Sequence, residues 1–276
     1  MRLWSDSRVG ITEQDLADIA LTVADEAAQL ARTVRAEAVR DVATKSTVTD
    51  VVTAGDTAAE ELIKARLAEL RPGDAVYGEE TGGALGDGVT WLVDPIDGTV
   101  NYLYGHPSHC VSIAAQVGGR SVAGAVVEPV SGRRWSAARG HGAWLDGVRL
   151  SVSAPASLEL TLLATGFAYD RDRRLAHAAV VAELLGVVRD IRRGGSAALD
   201  LCAVAAGWVD AYVESWLSPW DWAAGALIAE EAGAVVRLPG EHGLGDSAVF
   251  AAAPAIADDL ARACADAGMG AERRGG

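Results

Sequence analysis

Trp91-Leu92-Val93-Asp94-Pro95-Ile96-Asp97-Gly98-Thr99-Val100-Asn101-Tyr102 is the most informative stretch of this 276-residue chain. An apolar strand delivers two carboxylates, three residues apart, onto a tight turn. Pro95 stiffens the turn, and Gly98 permits close approach to the backbone. Thr99 is placed to cap a following helix. The free N–H groups at a helix start suit phosphate, but two carboxylates beside them repel it unless cations intervene. Mg²⁺ fits that place, because it prefers carboxylate and carbonyl oxygens and completes its shell with substrate phosphate.

Upstream, residues 12–39 have helical spacing (Leu16, Ile19, Val23, Ala27, Leu30), with Thr12 and Asp15 patterned as a capping box. A second helix is expected over 56–70 and short strands over 75–77 and 89–93. Downstream, 111–117, 121–127 and 133–137 form a strand meander, turned at Gly118-Gly119 and Ser131-Gly132. Beyond 150, strands near 160–164, 187–191, 209–213 and 234–237 alternate with helices near 172–185, 196–206, 221–233 and 254–267. That order suggests α/β layering. The reading is one catalytic domain over 1–276, with sub-domains of about 1–150 and 151–270 and a boundary within 148–160. Residues 271–276 read as a frayed tail.

Three more segments carry acids or glycines in suggestive places. Tyr77-Gly78-Glu79-Glu80-Thr81 ends a short strand. Pro219-Trp220-Asp221-Trp222-Ala223-Ala224-Gly225 opens an apolar helix. Lys45 to Asp56 leads into the second helix. Alone, Asp56 and Asp221 read as helix caps and Lys45 as a solvated lysine. With Arg192-Arg193-Gly194-Gly195-Ser196-Ala197-Ala198-Leu199-Asp200-Leu201 and Asp210-Ala211-Tyr212-Val213-Glu214, these motifs resemble the inositol monophosphatase family from about Lys45 to Ala253, in its bacterial branch.

The resemblance implies a layered αβαβα sandwich and a Mg²⁺-dependent, lithium-sensitive phosphatase holding two to three ions. Glu79, Asp94 and the Ile96 carbonyl would hold the first ion, Asp94, Asp97 and Asp221 the second, with Glu79 helping a third. Thr99 and Asp56 would orient and deprotonate the attacking water. Gly98 and Thr99 N–H groups would bind phosphate. Glu214, Ala197 and Gly195 would line the sugar pocket, where Asp97 and Asp221 also meet substrate, with Arg192 or Arg193 nearby. Lys45 and Glu80 are further candidates. Trp222 is bulkier than the family's usual residue and could reshape the leaving-group pocket. The family is usually homodimeric.

Composition narrows the choice. Lys plus Arg is 24 and Asp plus Glu is 38, a formal net charge of −14, so a nucleic acid partner is not expected. Cys110, Cys202 and Cys264 are odd in number and far apart, which excludes a disulfide scaffold and points to reduced thiols in a cytoplasmic protein. No apolar run is long enough to suggest a membrane span. The loop histidines His106 and His109 read as solvated. Asp94 and Asp97 lie one residue too far apart for the Asp-x-Asp-x-Thr nucleophile pattern. Gly140, Gly142 and Gly147 miss the dinucleotide spacing. Selectivity falls to Glu214, Trp216, Leu217 and the loop 167–174. By resemblance, residues 199–207 favour the inositol branch, with histidinol phosphate the alternative substrate, and a non-catalytic interaction protein on the same scaffold is the rival of another class.

Overall fold

The computed structural model describes residues 10–38, 42–44, 51–83, 85–240 and 244–270. Helix α1 (Glu13–Ala38) starts with the expected reciprocal cap. Thr12 N–H donates to Asp15 Oδ2 at 2.8 Å, and Asp15 N–H donates to Thr12 Oγ1 at 3.1 Å. A short hairpin, β1 (Val42–Thr44) and β2 (Val51–Thr53), leads to α2 (Ala54–Leu70). Seven strands follow: β3 (Ala75–Gly78), β4 (Val89–Asp97), β5 (Cys110–Val117), β6 (Arg120–Val127), β7 (Arg134–Ala138), β8 (Gly142–Leu145) and β9 (Val148–Arg149). They pair in chain order, β3–β4 parallel and the rest antiparallel. The one-and-a-half-turn helix α3 (Thr99–Tyr104) lies between β4 and β5.

The second sheet has β10 (Leu162–Thr165), β11 (Asp190–Arg192), β12 (Ala211–Ser215), β13 (Val235–Arg237) and β14 (Ala248–Ala252), in the order β11-β10-β12-β14-β13. Its helices are α4 (Arg171–Leu184), α5 (Ala197–Ala205), α6 (Pro219–Glu231) and α7 (Ala257–Asp266).

Apolar burial stacks these elements in five layers. Leu16, Val23 and Ile63 of α1 and α2 pack on Trp91, Ile113 and Ala125 of the first sheet. The opposite face, with Leu92, Ala114, Val126 and Trp135, packs on Ala198, Cys202, Ala224 and Leu227 of α5 and α6. The far side of the same two helices, with Leu201, Val204, Ala226 and Ala229, meets Tyr212, Val249 and Ala251 of the second sheet. Leu163, Val213 and Phe250 then meet Val180, Leu184 and Leu260 of α4 and α7. The architecture is the αβαβα sandwich that the motifs imply. The middle layer is thin because small residues face both sheets. A Cβ on Gly225 would lie 2.9 Å from Leu201 Cβ and 3.0 Å from Ala198 O, and one on Gly124 would lie 3.0 Å from Ala224 Cα.

Several local expectations need correction. The second sheet is mixed: β11-β10-β12 pair in parallel, and β14 pairs antiparallel with both β12 and β13. Strands β8, β9 and β14 were not anticipated. β14 is buried along its whole length, so it lacks the alternation that marks a half-buried strand. There is no tight turn after Val93, because β4 continues through Pro95 to Asp97. Thr99 is the first helical residue, and the cap is Gly98, left-handed at φ 93°. Asp56 sits inside the first turn of α2. Lys45 and the tail 271–276 lie outside the described residues.

Candidate active site

The cleft forms where β4, α3, the loop after β11 and the start of α6 converge. It encloses about 110 Å³ and is lined by Glu79, Asp94, Asp97, Thr99, Glu214 and Asp221 among others. In a regular strand, residues 94 and 97 would face opposite sides. Asp94 pairs with Ser112 and Asp97 with Cys110, so β4 carries one residue more than β5 between those pairs. This bulge turns both carboxylates into one cleft.

Each acid is held by its own local structure. Asp94 Oδ1 accepts the Ile96 N–H at 3.1 Å. Asp221, third residue of α6, accepts the Ser218 N–H at 2.7 Å, the return half of a capping box. Asp97 Oδ2 accepts from Ser196 Oγ at 2.6 Å and from Ala198 N–H at 2.7 Å, across about a hundred residues of sequence. Glu79 lies on a turn organised by the buried Glu60, whose carboxylate accepts the Glu80 N–H at 2.8 Å and the Thr81 N–H at 3.1 Å. Thr99 Oγ1 lies 3.4 Å from Asp56 Oδ1 and 3.1 Å from Ile96 O, so its single proton serves one of them at a time.

Burial and crowding raise the proton affinity of these groups. Asp94 is held well above the usual carboxylate range, first by burial and then by repulsion from Glu79, Asp97, Asp221 and Asp56. Burial likewise raises Asp221, helped by Asp97 and Glu79. Burial pushes Asp97 up to about 6 against the opposing bonds from Ser196 and the α5 amides. Glu214 rises to about 7, mainly through burial, while Tyr212 Oη donates to its Oε2 at 2.7 Å. Five carboxylates line the cleft, and Arg193 is the one cation lining it among the described residues.

One cation against five carboxylates leaves the cleft short of positive charge, and its candidate ligand atoms are oxygens, which suits a hard divalent cation. Among the described residues, no three Asp, Glu, His or Cys side chains form a closed metal cage. Mg²⁺ does not demand one, since it keeps several waters and takes ligands from phosphate.

Most of the anticipated residues line this cleft: Glu79, Asp94, Ile96, Asp97, Gly98, Thr99, Arg193, Gly195, Ala197, Glu214 and Asp221. Asp56 reaches it through Thr99. Arg192 does not line it, because its guanidinium is exposed and bonded to Asp190 at 2.6 Å. Glu80 does not line it either; its N–H is held by Glu60 on the turn carrying Glu79. Trp222 faces away, into a separate cavity beside Gln116, Arg139 and Leu238. Trp216 also lies elsewhere, whereas Leu217, Phe167 and Tyr169 form the rim. His109 is buried edge-on against Tyr102, not solvated.

The residue reading gave no role to Ser196, Asn101, Glu60 or Gly166. A Cβ on Gly166 would lie 1.9 Å from Glu214 Oε2, so that carboxylate needs glycine beside it. Only Ser196 carried a sequence signal, as a serine opening an Ala-Ala helix.

The sequence profile of the inositol monophosphatase family matches residues 12–268. The chain belongs to the inositol monophosphatase family. It is 53% identical over 268 residues to the inositol-1-monophosphatase of Mycobacterium leprae, covering 90% of this chain and 92% of that one. It is 44% identical over 202 residues to a Pseudomonas aeruginosa protein called Nus factor SuhB, covering 70% and 74%. The solved structure of Mycobacterium tuberculosis SuhB superposes with a TM-score of 0.82 at 44% identity, covering 94% of this chain and 99% of that one. As a family member with close inositol-1-monophosphatase relatives, the protein is a phosphatase. None of its described helices is long and apolar enough to cross a membrane.

Proposed function

We propose that the protein hydrolyses myo-inositol 1-phosphate to inositol and phosphate with Mg²⁺. The observation that carries this reading is the cleft itself, where Glu79, Asp94, Asp97 and Asp221 lie with the Thr99–Asp56 pair and the buried Glu214 is the fifth acid of the lining. Glu79, Asp94, the Ile96 carbonyl, Asp97 and Asp221 are the residues that would hold two to three ions. Bound there, Mg²⁺ would acidify water and offset the charge of phosphate and leaving oxygen.

The protein's own groups supply the rest. When Thr99 Oγ1 donates to Asp56, its lone pairs are available to accept from the attacking water. A proton then passes from water to Thr99 and from Thr99 to Asp56 as the water oxygen bonds to phosphorus. Gly98 and Thr99 present backbone N–H groups to the phosphate. Glu214 accepts hydrogen bonds from sugar hydroxyls, with Gly195, Ala197 and Arg193 completing that wall. The departing inositol oxygen takes a proton from solvent. We further infer two sub-domains, of about 1–150 and 151–270, in a cytoplasmic homodimer inhibited by lithium.

The test is phosphate release from inositol 1-phosphate, histidinol phosphate, fructose 1,6-bisphosphate and 3′-phosphoadenosine 5′-phosphate, with Mg²⁺ or EDTA. Inositol 1-phosphate should lead, and EDTA should abolish turnover. Another leading substrate would overturn the selectivity but not the metal reading. The name of the Pseudomonas relative favours a second reading, a role in binding other macromolecules. No hydrolysis of any substrate with Mg²⁺ would favour it.

A further inference from the structure

The segment Arg193-Gly194-Gly195 joins β11 to α5 and contributes Arg193 and Gly195 to the cleft wall. Its backbone is gripped from both sides. From α3, the Asn101 side-chain amide donates to Gly194 O at 2.9 Å and to Ser108 O at 2.6 Å. Both partners are carbonyl oxygens, so only the NH₂ end can face them and the orientation of the amide is fixed. From α5, the buried Asp200 side chain packs against Gly194, where a Cβ would stand 2.5 Å from Asp200 Oδ1. Asp200 is buried, its Oδ2 has no hydrogen-bond partner, and it does not line the cleft.

The grip is tight at the next residue as well. A Cβ on Gly195 would lie 2.6 Å from Arg193 Nη1 and 2.8 Å from Asn101 Nδ2, and one on Gly98 would lie 3.1 Å from Gly195 O. Asn101 belongs to the same short helix as Thr99. One side chain thus links the phosphate seat to the wall that meets the leaving group, across 93 residues of sequence.

We propose that Asn101, with Asp200 as its counterpart, is a positioning residue for leaving-group recognition. It sets the distance between the phosphate seat and the Arg193–Gly195 wall, and so decides how well a polyol is held. The proposal rests on the inositol phosphate reading for its substrate but not for its geometry. Loss of the amide should weaken binding of hydroxyl-bearing substrates and leave the acid cluster untouched, because none of its hydrogen bonds is to a candidate metal ligand.

The experiment compares wild type, Asn101→Ala and the equal-sized Asn101→Asp with Mg²⁺. Substrates are inositol 1-phosphate and p-nitrophenyl phosphate, whose leaving group carries no sugar hydroxyls. Amide hydrogen exchange is followed in peptides covering 192–196. For the variants, KM on inositol 1-phosphate should rise about tenfold with kcat within about threefold, and kcat/KM on p-nitrophenyl phosphate should change less than about twofold. Exchange at Gly194 and Gly195 should accelerate while β4 stays protected. Equal loss on both substrates, or unchanged exchange in 192–196, would overturn the proposal. If wild type hydrolyses p-nitrophenyl phosphate but not inositol 1-phosphate, the functional reading fails, and the exchange data still decide the role of Asn101. Should Asn101→Ala not fold, Asn101→Asp keeps the shape and carries the test.

Discussion

Asp94 shows how one side chain can be costly in the empty protein and necessary in the loaded one. Its carboxylate is buried among four other acids that all raise its proton affinity. Asp94→Asn should therefore abolish turnover without lowering the melting temperature of the EDTA-treated protein, measured by calorimetry. A drop of many degrees would show that the cluster stabilises the fold. Ser196 bears on the neighbouring acid, because its hydroxyl donates to Asp97 while also accepting the Leu199 N–H at the start of α5. Groups that orient a metal ligand commonly contribute 10–100-fold in affinity. Ser196→Ala should raise the Mg²⁺ activation constant about tenfold, and Ser196→Thr should restore it. The acids themselves were legible because each lies in a short local motif. The roles of Ser196, Asn101 and Gly166 were not, because their partners are 99, 93 and 48 residues away and only the fold brings them together.

Among the elements, α1 and α2 read correctly because each buries one face toward the first sheet. α6 is different. It is buried on two sides, so its middle, 223–229, is wholly apolar, and what marks it is the density of Ala and Gly rather than a stripe. Its closeness to α5 makes Gly225 a sensitive position. A methyl there meets Leu201 and the Ala198 carbonyl, an overpacking cost of about 1–3 kcal/mol. Alanine's helical preference returns about 1 kcal/mol of that. Gly225→Ala should thus lower the melting temperature by a few degrees, and equal or greater stability would show that α5 and α6 can part. The bulge in β4 escaped the residue reading for a related reason. Pro95 and Gly98 signal a turn locally, but pairing with β5 holds the chain extended as far as Asp97.

On the scale of the whole molecule, pH acts through groups outside the cleft lining as well as in it. Burial depresses His177 to about 4, and its Nε2 lies 2.9 Å from Thr165 Oγ1. Above pH 6.5 it is neutral in both folded and unfolded chains. As the pH falls below 6.5 the unfolded chain takes up a proton that the folded one refuses until about 4. Stability is therefore lost across that window, by roughly 3 kcal/mol for a shift of this size. Glu214, raised to about 7, acts in the opposite sense, since the folded protein keeps its proton at a pH where the unfolded chain has released it. The difference between His177→Gln and wild type isolates the histidine. The variant's melting temperature should fall less steeply between pH 6.5 and 4, and parallel curves would refute the assignment.

The shared middle layer has a consequence for the order in which the chain is made. The inner face of the first sheet, with Leu92, Ala114, Val126 and Trp135, is covered mainly by α5 and α6. Those helices leave the ribosome well after the strands they cover, α5 beginning 48 residues beyond the end of β9. During that interval the nascent sheet presents an apolar surface with nothing on it, the kind of intermediate that chaperones bind and that aggregates when crowded. Residues 1–150 made alone should collect in inclusion bodies, and supplying 151–276 in trans should draw part of that material back into solution.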